Sequence, residues 1–248
     1  MLSELLLLSG NDIPFREARL NIHQPKIKEI AYIGEDNFFA GCELLNFSKD
    51  ILTSEDKSLL EDKSNFEIFM SIMKDRENVA IQKSRLSASL VLTLLFPDYN
   101  YTFMKDQMAF SLKDSNEEIC FINKDNFEEF KKILVEMFCL KRGKDENLEY
   151  NPQSEMARKI ADKLRKGRAK AAAAKPAKKI SILSRYISIL TVGEQKNMND
   201  LLQLTVYQLF DEFERFELKS SHDAWFKARL AGAKDMEQVD NWMKELHS

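Results

Sequence analysis

Glycine and proline are scarce in this sequence, which has seven and five of them among 248 residues. Both residue types are concentrated in turns, and an all-β sandwich or barrel needs many turns. Their shortage therefore disfavours such folds, whereas the frequent Leu, Lys, Glu, Ala and Met residues favour helices. We predict an α+β fold that is predominantly helical.

The few glycines and histidines also exclude several kinds of site. No glycines have Walker or dinucleotide-binding spacing, so a phosphate-binding loop is not expected. His23, His222 and His247 lie far apart, and none has a second metal ligand four residues away. We therefore expect no nucleotide, no metal and no other cofactor.

Catalytic groups are not evident either. The paired carboxylates Glu117 with Glu118, and Glu128 with Glu129, are adjacent in sequence and so point to different faces of a helix or strand. No local signature indicates a Cys–His nucleophile. We predict that the protein is not an enzyme and has no catalytic residue.

Cysteine is rare, and long hydrophobic runs are missing. Cys42, Cys120 and Cys139 have no metal-ligand spacing, and an odd number in a chain of this length is typical of a reduced cytosolic protein with buried thiols. The apolar run from Leu5 to Leu8 is too short for a membrane span and lacks the flanks of a signal peptide. We expect a cytoplasmic protein without a membrane partner.

Residues 1–142 carry mixed signals that predict an α+β domain. The stretch "ELLLLSGNDIPF" predicts a buried strand or an extended docking segment, and "ARLNIH" alternates like a half-buried strand. Two short helices, broken around Gly34, are expected in "PKIKEIAYIGEDNFFAGCELLNF". Lys105 and Asp106 mark the first turn of a small antiparallel meander.

Three helices are predicted around this meander. Ser64 and Glu67 have the spacing of a capping box at the start of the first. The second, from about Val79 to Leu95, is expected to be central and buried, with Leu86, Leu90 and Leu94 in register. The third is amphipathic, and its apolar side consists of Phe127, Phe130, Leu134, Met137 and Phe138.

Residues 143–179 form a polar and then strongly basic linker. Between Arg158 and Lys179 there are ten Lys or Arg and one acid, Asp162. Because the whole chain carries a formal charge of −3, the residues outside this segment must sum to −12, which is −3 minus +9. The Ala-rich part has a high helix propensity but no apolar face that could pack into a core.

Three interpretations of this basic linker are open. We favour an exposed helical tether between two domains. A nucleic-acid arm would neutralise phosphates, but no aromatic side chain interleaves the cations to stack on bases. The third interpretation is a docking strip for an acidic partner. Under the nucleic-acid alternative, the candidate contacts are Arg158, Arg165, Lys166, Arg168 and Lys170.

Residues 180–248 predict a small C-terminal helical bundle. We expect about four short helices, at 180–192, 199–218, 222–231 and 235–246. Thr205 with Gln208, and Asp235 with Gln238, have capping-box spacing, and Gly232 is placed for a left-handed C-terminal cap. The 17 Phe and 10 Met residues exceed what a small core needs, and such side chains can bind helical partners.

The C-terminal segment "LLQLTVYQLFDEFERFELKSSHDAWFKARLAGAKDMEQVDNWMKELH" holds three motifs in sequence. They are Leu-Thr-x-Tyr-Gln-Leu-x-Asp, then Ala-Gly-Ala-Lys, then Trp-Met-Lys-x-x-His. Their positions are Leu204, Thr205, Tyr207, Gln208, Leu209, Asp211, Ala231 to Lys234, Trp242, Met243, Lys244 and His247. In these motifs the segment resembles the C-terminal part of tail assembly chaperones of phages that infect Gram-positive bacteria. The stretch "HQPKIKEIAYIGEDNFFAGCELLNFSK" also resembles the opening of such proteins.

This resemblance implies a chaperone that binds the tape measure protein in the bacterial host cytoplasm. It would act in multiple copies and keep the tape measure protein soluble until tail-tube subunits polymerise around it. A nucleic-acid-binding protein and a structural virion protein are the alternatives, although no nucleic-acid partner is expected. We predict that the partner is contacted by Tyr207, Phe216, Trp225, Phe226 and Trp242, with Arg229 and Lys234 on the rim.

Overall fold

The computed structural model describes residues 2–49, 62–75, 77–113, 118–140, 181–233, 239–244 and 246. These residues are mostly helical and include two small antiparallel sheets, which confirms the predicted α+β class. The helices are α1 (Glu4–Ser9), α2 (Ile27–Ile33), α3 (Glu35–Leu45), α4 (Asn65–Lys74), α5 (Val79–Leu95), α6 (Phe127–Met137), α7 (Ile182–Gly193), α8 (Met198–Leu201) and α9 (Val206–Leu230). The strands are β1 (Ile13–Phe15), β2 (Leu20–Ile22), β3 (Tyr99–Phe103), β4 (Gln107–Leu112) and β5 (Glu118–Asn123).

The N-terminal leucine run forms a helix, so the predicted strand or extended segment is wrong there. Helix α1 buries Leu7 and leaves Leu5 exposed, and it ends at Gly10, which has a φ of +68°. A short apolar run does not distinguish strand from helix by its pattern alone, and leucine favours helices. The chain then forms the antiparallel β1–β2 hairpin, in which Ile13 pairs with Ile22.

Helices α2 and α3 meet at Gly34, as predicted from the sequence. Helix α3 crosses α5 at very short range because residue 41 is glycine. A Cβ atom built on Gly41 would lie 2.5 Å from the carbonyl oxygen of Ser87 and 2.6 Å from a methyl carbon of Val91. The crossing therefore requires glycine on α3.

This crossing also decides which face of α5 is buried, and the predicted Leu86–Leu90–Leu94 face is wrong. Leu86 is 60% exposed, and Leu90 and Leu94 are half-buried. The buried face consists of Ser87, Ala88, Val91, Leu92 and Leu95. Small side chains at 87 and 88 let the two helix backbones approach, so packing against α3 determines the orientation of α5.

The remaining helices of this region follow the sequence predictions. The hydroxyl oxygen of Ser64 accepts a hydrogen bond from the backbone N–H of Glu67 (3.2 Å). In return, the Glu67 carboxylate accepts one from the N–H of Ser64 (2.7 Å). The predicted capping box of α4 is therefore confirmed. The apolar side of α6 is buried along its whole length, at Phe127, Phe130, Leu134, Met137 and Phe138.

The predicted meander is present as the antiparallel sheet β3–β4–β5, with Lys105 and Asp106 in its first turn. The central strand β4 buries Met108, Ala109 and Phe110. The ring of Phe110 lies 4.6 Å from that of Phe96, between ring centroids, and Phe96 lies 6.1 Å from Phe130 of α6. A continuous aromatic core thus joins α5, the sheet and α6.

The described part of the C-terminal region contains three helices, α7 to α9, whose bounds differ from those of the four predicted helices. The predicted helix at 199–218 begins at Val206, because Thr205 caps α9 through its bond with Gln208. The predicted helix at 222–231 is the continuation of α9. The predicted break at Ser220 and Ser221 contains no Gly or Pro that would end a helix. Residues 239–244, within the predicted fourth helix, are not helical. Gly232, placed by the sequence for a left-handed C-terminal cap, has a positive φ of +90°.

Helices α2 and α7 each begin with backbone N–H groups that are capped by the other end of the chain. The N–H of Ile27 donates to the carbonyl of Leu204 (2.9 Å), and the N–H of Lys28 donates to the carbonyl of Leu202 (3.0 Å). In the opposite direction, the carboxylate of Glu35 accepts from the N–H of Ile182 (2.7 Å). The first turn of a helix leaves such groups unpaired, so this exchange satisfies both termini.

Apolar side chains accompany this exchange of caps. Leu183, Leu190, Leu201 and Leu209 belong to the same buried core as the N-terminal residues. The side-chain amide of Gln208 also donates to the carbonyl of Leu8 (2.7 Å). The helices α7 to α9 are therefore docked on the N-terminal region. The division into domains at 1–142 and 180–248 stays a prediction, and the linker 143–179 lies outside the described residues.

Candidate functional site

Helix α9 has two halves with different environments. Its buried residues are Val206, Tyr207, Leu209 and Phe213, all in the first half. From Glu217 to Leu230 every side chain is exposed or half-buried. A helix of 25 residues is about 37 Å long, and about two thirds of this length extends beyond Phe213, the last buried residue.

The first half is held by aromatic packing against α7. Tyr186 stacks on Phe213 with a centroid distance of 3.7 Å and an interplanar angle of 6°. A Cβ atom on Gly193 would lie 2.4 Å from the ring of Phe216, so this glycine makes room for the ring. Two of the predicted partner contacts lie here: Tyr207 is 4% exposed and Phe216 is half-buried. This packing does not support the prediction that Tyr207 and Phe216 are exposed anchors for a partner.

An ion-pair cluster reinforces the same contact between α9 and the loop after α7. The ammonium group of Lys196 lies 2.8 Å from the carboxylate of Glu212 and 3.4 Å from that of Glu194. Partial burial of Lys196 disfavours its charge, but the bonds to the two carboxylates outweigh this effect and raise its pKa. The base of α9 is therefore fixed by both packing and charge.

The second half of α9 presents a group of ring-bearing and apolar side chains that we call the distal surface. It consists of His222, Trp225, Phe226, Arg229 and Leu230. The imidazole of His222 lies 6.2 Å from the indole of Trp225, and the guanidinium of Arg229 lies 5.4 Å from the centre of that indole. Phe226 is 51% exposed and Leu230 is 73% exposed.

Residues 239–244, which we call the return segment, contact α9 near Arg215. The guanidinium of Arg215 donates to the carbonyl of Trp242 (3.0 Å) and to that of Lys244 (2.5 Å). Trp242 is 37% exposed and Met243 is 68% exposed. Exposed apolar side chains therefore occur both on the distal surface of α9 and on the return segment beside α9.

The structure brings only some of the predicted partner-binding residues together. Trp225, Phe226 and Arg229 lie together on the distal surface, and Trp242 lies on the return segment near Arg215. Lys234 and the basic residues Arg158, Arg165, Lys166, Arg168 and Lys170 lie outside the described residues. Leu230 and Met243, which are also exposed, were not among the predicted partner contacts. Leu230 follows Phe226 by four residues, and this spacing indicates that the two side chains are neighbours on the same side of a helix.

One open cleft of about 460 Å³ lies elsewhere, between α4 and two turns of the sheet region. Two of its charged groups are already bonded: Glu67 in the capping box and Lys74 to the carbonyl of Lys105 (2.9 Å). Among the residues that the structure describes, no group of three or more His, Cys, Asp or Glu side chains is placed to hold a metal ion. No described helix has the length and apolar character required to cross a membrane.

Comparison with known proteins bears on the C-terminal region. No significant match was found among curated proteins or among solved structures. Residues 175–247 match the family model described as the YomV second domain, and this range contains α7 to α9 and the return segment. YomV is a protein derived from a Bacillus phage, so the match indicates that this chain is phage-related.

Proposed function

We propose that this protein is a phage tail assembly chaperone. In this proposal it binds the tape measure protein in the host cytoplasm and keeps it soluble until tail-tube subunits polymerise around it. The observation that carries the proposal is the exposed distal half of α9, with Trp225, Phe226 and Leu230 on a helix that extends beyond its own core. The match of residues 175–247 to a domain of a phage-derived protein supports it.

The chemistry of the distal surface fits a helical apolar partner. Exposed groups of large apolar side chains are typical of interaction sites, and Trp and Arg are enriched among the residues that dominate binding energy. Arg229 lies on the indole of Trp225, which holds both side chains in a defined arrangement. A helix that presents such a stripe binds another helix through side chains three and four residues apart.

A tape measure protein is long, so one small surface would cover little of it. We propose that many copies bind along its length, each weakly enough for tail-tube subunits to displace it. Neighbouring copies would then retain the partner through avidity, which can exceed the affinity of one site by about 10²- to 10⁴-fold. Weak individual sites agree with the small size of the distal surface.

Co-expression with the tape measure protein of the same phage tests the proposal. We expect a Phe226→Ala and Leu230→Ala double variant to lose most of the soluble tape measure protein. The variant itself should remain folded, since changes at exposed positions alter the free energy of unfolding by about 0.5 kcal/mol or less.

Tyr32→Ala is the matched control, because Tyr32 is an aromatic residue of α2 that is 91% exposed. It should leave the yield of soluble tape measure protein unchanged. An unchanged yield with the folded double variant would remove the distal surface from the proposal. A loss of yield with both the double variant and the control would also contradict a site on α9.

A further inference from the structure

Exposed and half-buried side chains of α9 continue the distal surface into a regular stripe. Arg215, Lys219, His222, Phe226 and Leu230 follow one another at spacings of four, three, four and four residues. In a helix with about 3.6 residues per turn, these positions lie on one side. The alternation of four and three residues is typical of the seam of a coiled coil, where a second helix packs.

The segment of α9 from Lys219 to Leu230, which carries most of this stripe, has a net positive charge. From Lys219 to Leu230 there are three cations, Lys219, Lys227 and Arg229, and one acid, Asp223, which gives a net charge of +2 (three minus one). Lys219, Lys227 and Arg229 are all exposed. No ion pair of Lys219 or Arg229 occurs within the described part of the chain.

Arg215 has a different role at the N-terminal end of the stripe, which is nearest the buried part of α9. Its guanidinium donates to the carbonyls of Trp242 and Lys244 and so holds the return segment. The exposed indole of Trp242 therefore lies near the same end of the stripe. From Lys219 to Leu230 the stripe covers about 16 Å, at about 1.5 Å per residue, which corresponds to roughly three helical turns of a partner.

We infer that this stripe binds amphipathic helices that carry carboxylates beside their apolar seam. The inference rests on the proposed function for the identity of the partner, the tape measure protein, and specifies which of its segments are bound. Apolar side chains of such a segment face Phe226 and Leu230, and its acids face Lys219 and Arg229. Segments with basic flanks are repelled, since like charges across an interface disfavour binding.

The test uses overlapping peptides of about 25 residues that cover the tape measure protein, with binding to the full chain measured by fluorescence anisotropy. We expect the bound peptides to be acidic amphipathic sequences. A Lys219→Glu and Arg229→Glu double variant should weaken their binding about tenfold or more at low salt and favour peptides with basic flanks. Lys83→Glu, at an exposed lysine of α5, is the control and should change nothing.

Binding without preference for acidic peptides would overturn the inference, as would a preference that the double variant leaves unchanged. Failure of every peptide to bind would overturn it as well. The proposed function is tested separately by the Phe226→Ala and Leu230→Ala co-expression experiment. If that experiment succeeds while the peptides show no charge preference, the function stands and this inference fails. If acidic peptides bind but solubility does not depend on α9, the inference stands and the proposed function fails.

Discussion

The carboxylate of Glu35 accepts a hydrogen bond of 2.7 Å from the backbone N–H of Ile182, which lies 147 residues later in the chain. The same carboxylate accepts from the hydroxyl of Ser181 and, at 3.4 Å, from the N–H of Leu183. An acidic side chain of α3 thereby caps the start of α7, where the N–H groups and the helix dipole favour negative charge. This contact is one of the bonds through which α7 to α9 are held on the N-terminal region.

Replacing Glu35 by Ala should therefore loosen the C-terminal helices. We expect a loss of roughly 1–2 kcal/mol in the free energy of unfolding, the usual cost of removing a helix cap. Hydrogen exchange at the amides of Ile182 and Leu183 should accelerate. Glu43→Ala, at an exposed position of the same helix, is the control and should have little effect. Unchanged exchange at these two amides would contradict the capping role.

Cleavage of the linker should leave the two parts of the protein associated. Trypsin is expected to cut first within the Lys- and Arg-rich residues 158–179, as the sequence predicts for an exposed tether. Because α2 and α7 exchange caps and share a core, the two fragments should elute together in size-exclusion chromatography. Fragments that separate under native conditions would show that this docking is too weak to hold without the connecting chain.

Acid should weaken the contacts that the Glu29 carboxylate makes with His23 and Lys26 at the start of α2. The Glu29 carboxylate accepts from the N–H of Lys26 (2.7 Å) and lies 3.3 Å from a ring nitrogen of His23. Partial burial alone would raise the pKa of Glu29, but the bonds from Lys26 and His23 and their charges outweigh burial, and the pKa is lowered. A carboxyl whose pKa is lowered on folding contributes stability above its ordinary pKa and loses it as pH falls through the lowered value.

A Glu29→Gln variant tests this contribution by urea unfolding between about pH 7 and about pH 3. The variant should be less stable than the wild type at neutral pH, and the difference should shrink at the acidic end. Glu17→Gln, at an exposed position, is the matched control. A difference that stays constant over the whole range would contradict the role of the Glu29 charge.

The nucleic-acid alternative predicts a different behaviour from the chaperone account. If residues 158–179 bound DNA, affinity would fall steeply with salt as counterions are released, and Lys/Arg→Gln changes at 165, 166, 168 and 170 would abolish it. We expect no saturable binding of duplex DNA at about 0.15 M salt. Tight, salt-dependent binding that these substitutions remove would favour the alternative.

Local signals in the sequence were sufficient for two helix caps and for the sheet. The capping boxes at Ser64 and Thr205 involve side chains three residues apart, and the turn at Lys105 and Asp106 is equally local. The prediction for α1 was wrong because a short apolar run does not distinguish a strand from a helix. The prediction for the buried face of α5 was wrong because packing against a distant helix decides that face. The short crossing at Gly41 turns Leu86 outward, and no pattern within α5 contains that information.

The candidate site was also predictable only in part, because local patterns show which side chains are aromatic but not which of them are buried. The aromatic side chains at 225 and 226 stand out in a charged helix, and both lie on the distal surface. Tyr207 has the same composition signal but is buried against the core. The length of α9 beyond that core depends on where α7 ends, at Gly193, and this was not visible in the sequence of α9 itself.

Site-specific photocross-linking is the most direct test of the claim that the distal half of α9 binds the tape measure protein. p-Benzoyl-phenylalanine would replace Phe226 in one variant and Tyr32 in another, since both side chains are aromatic and exposed. Each variant would be irradiated in cells that also produce the tape measure protein. The account predicts a covalent adduct from position 226 and none from position 32. An adduct from position 32 with none from position 226 would contradict it.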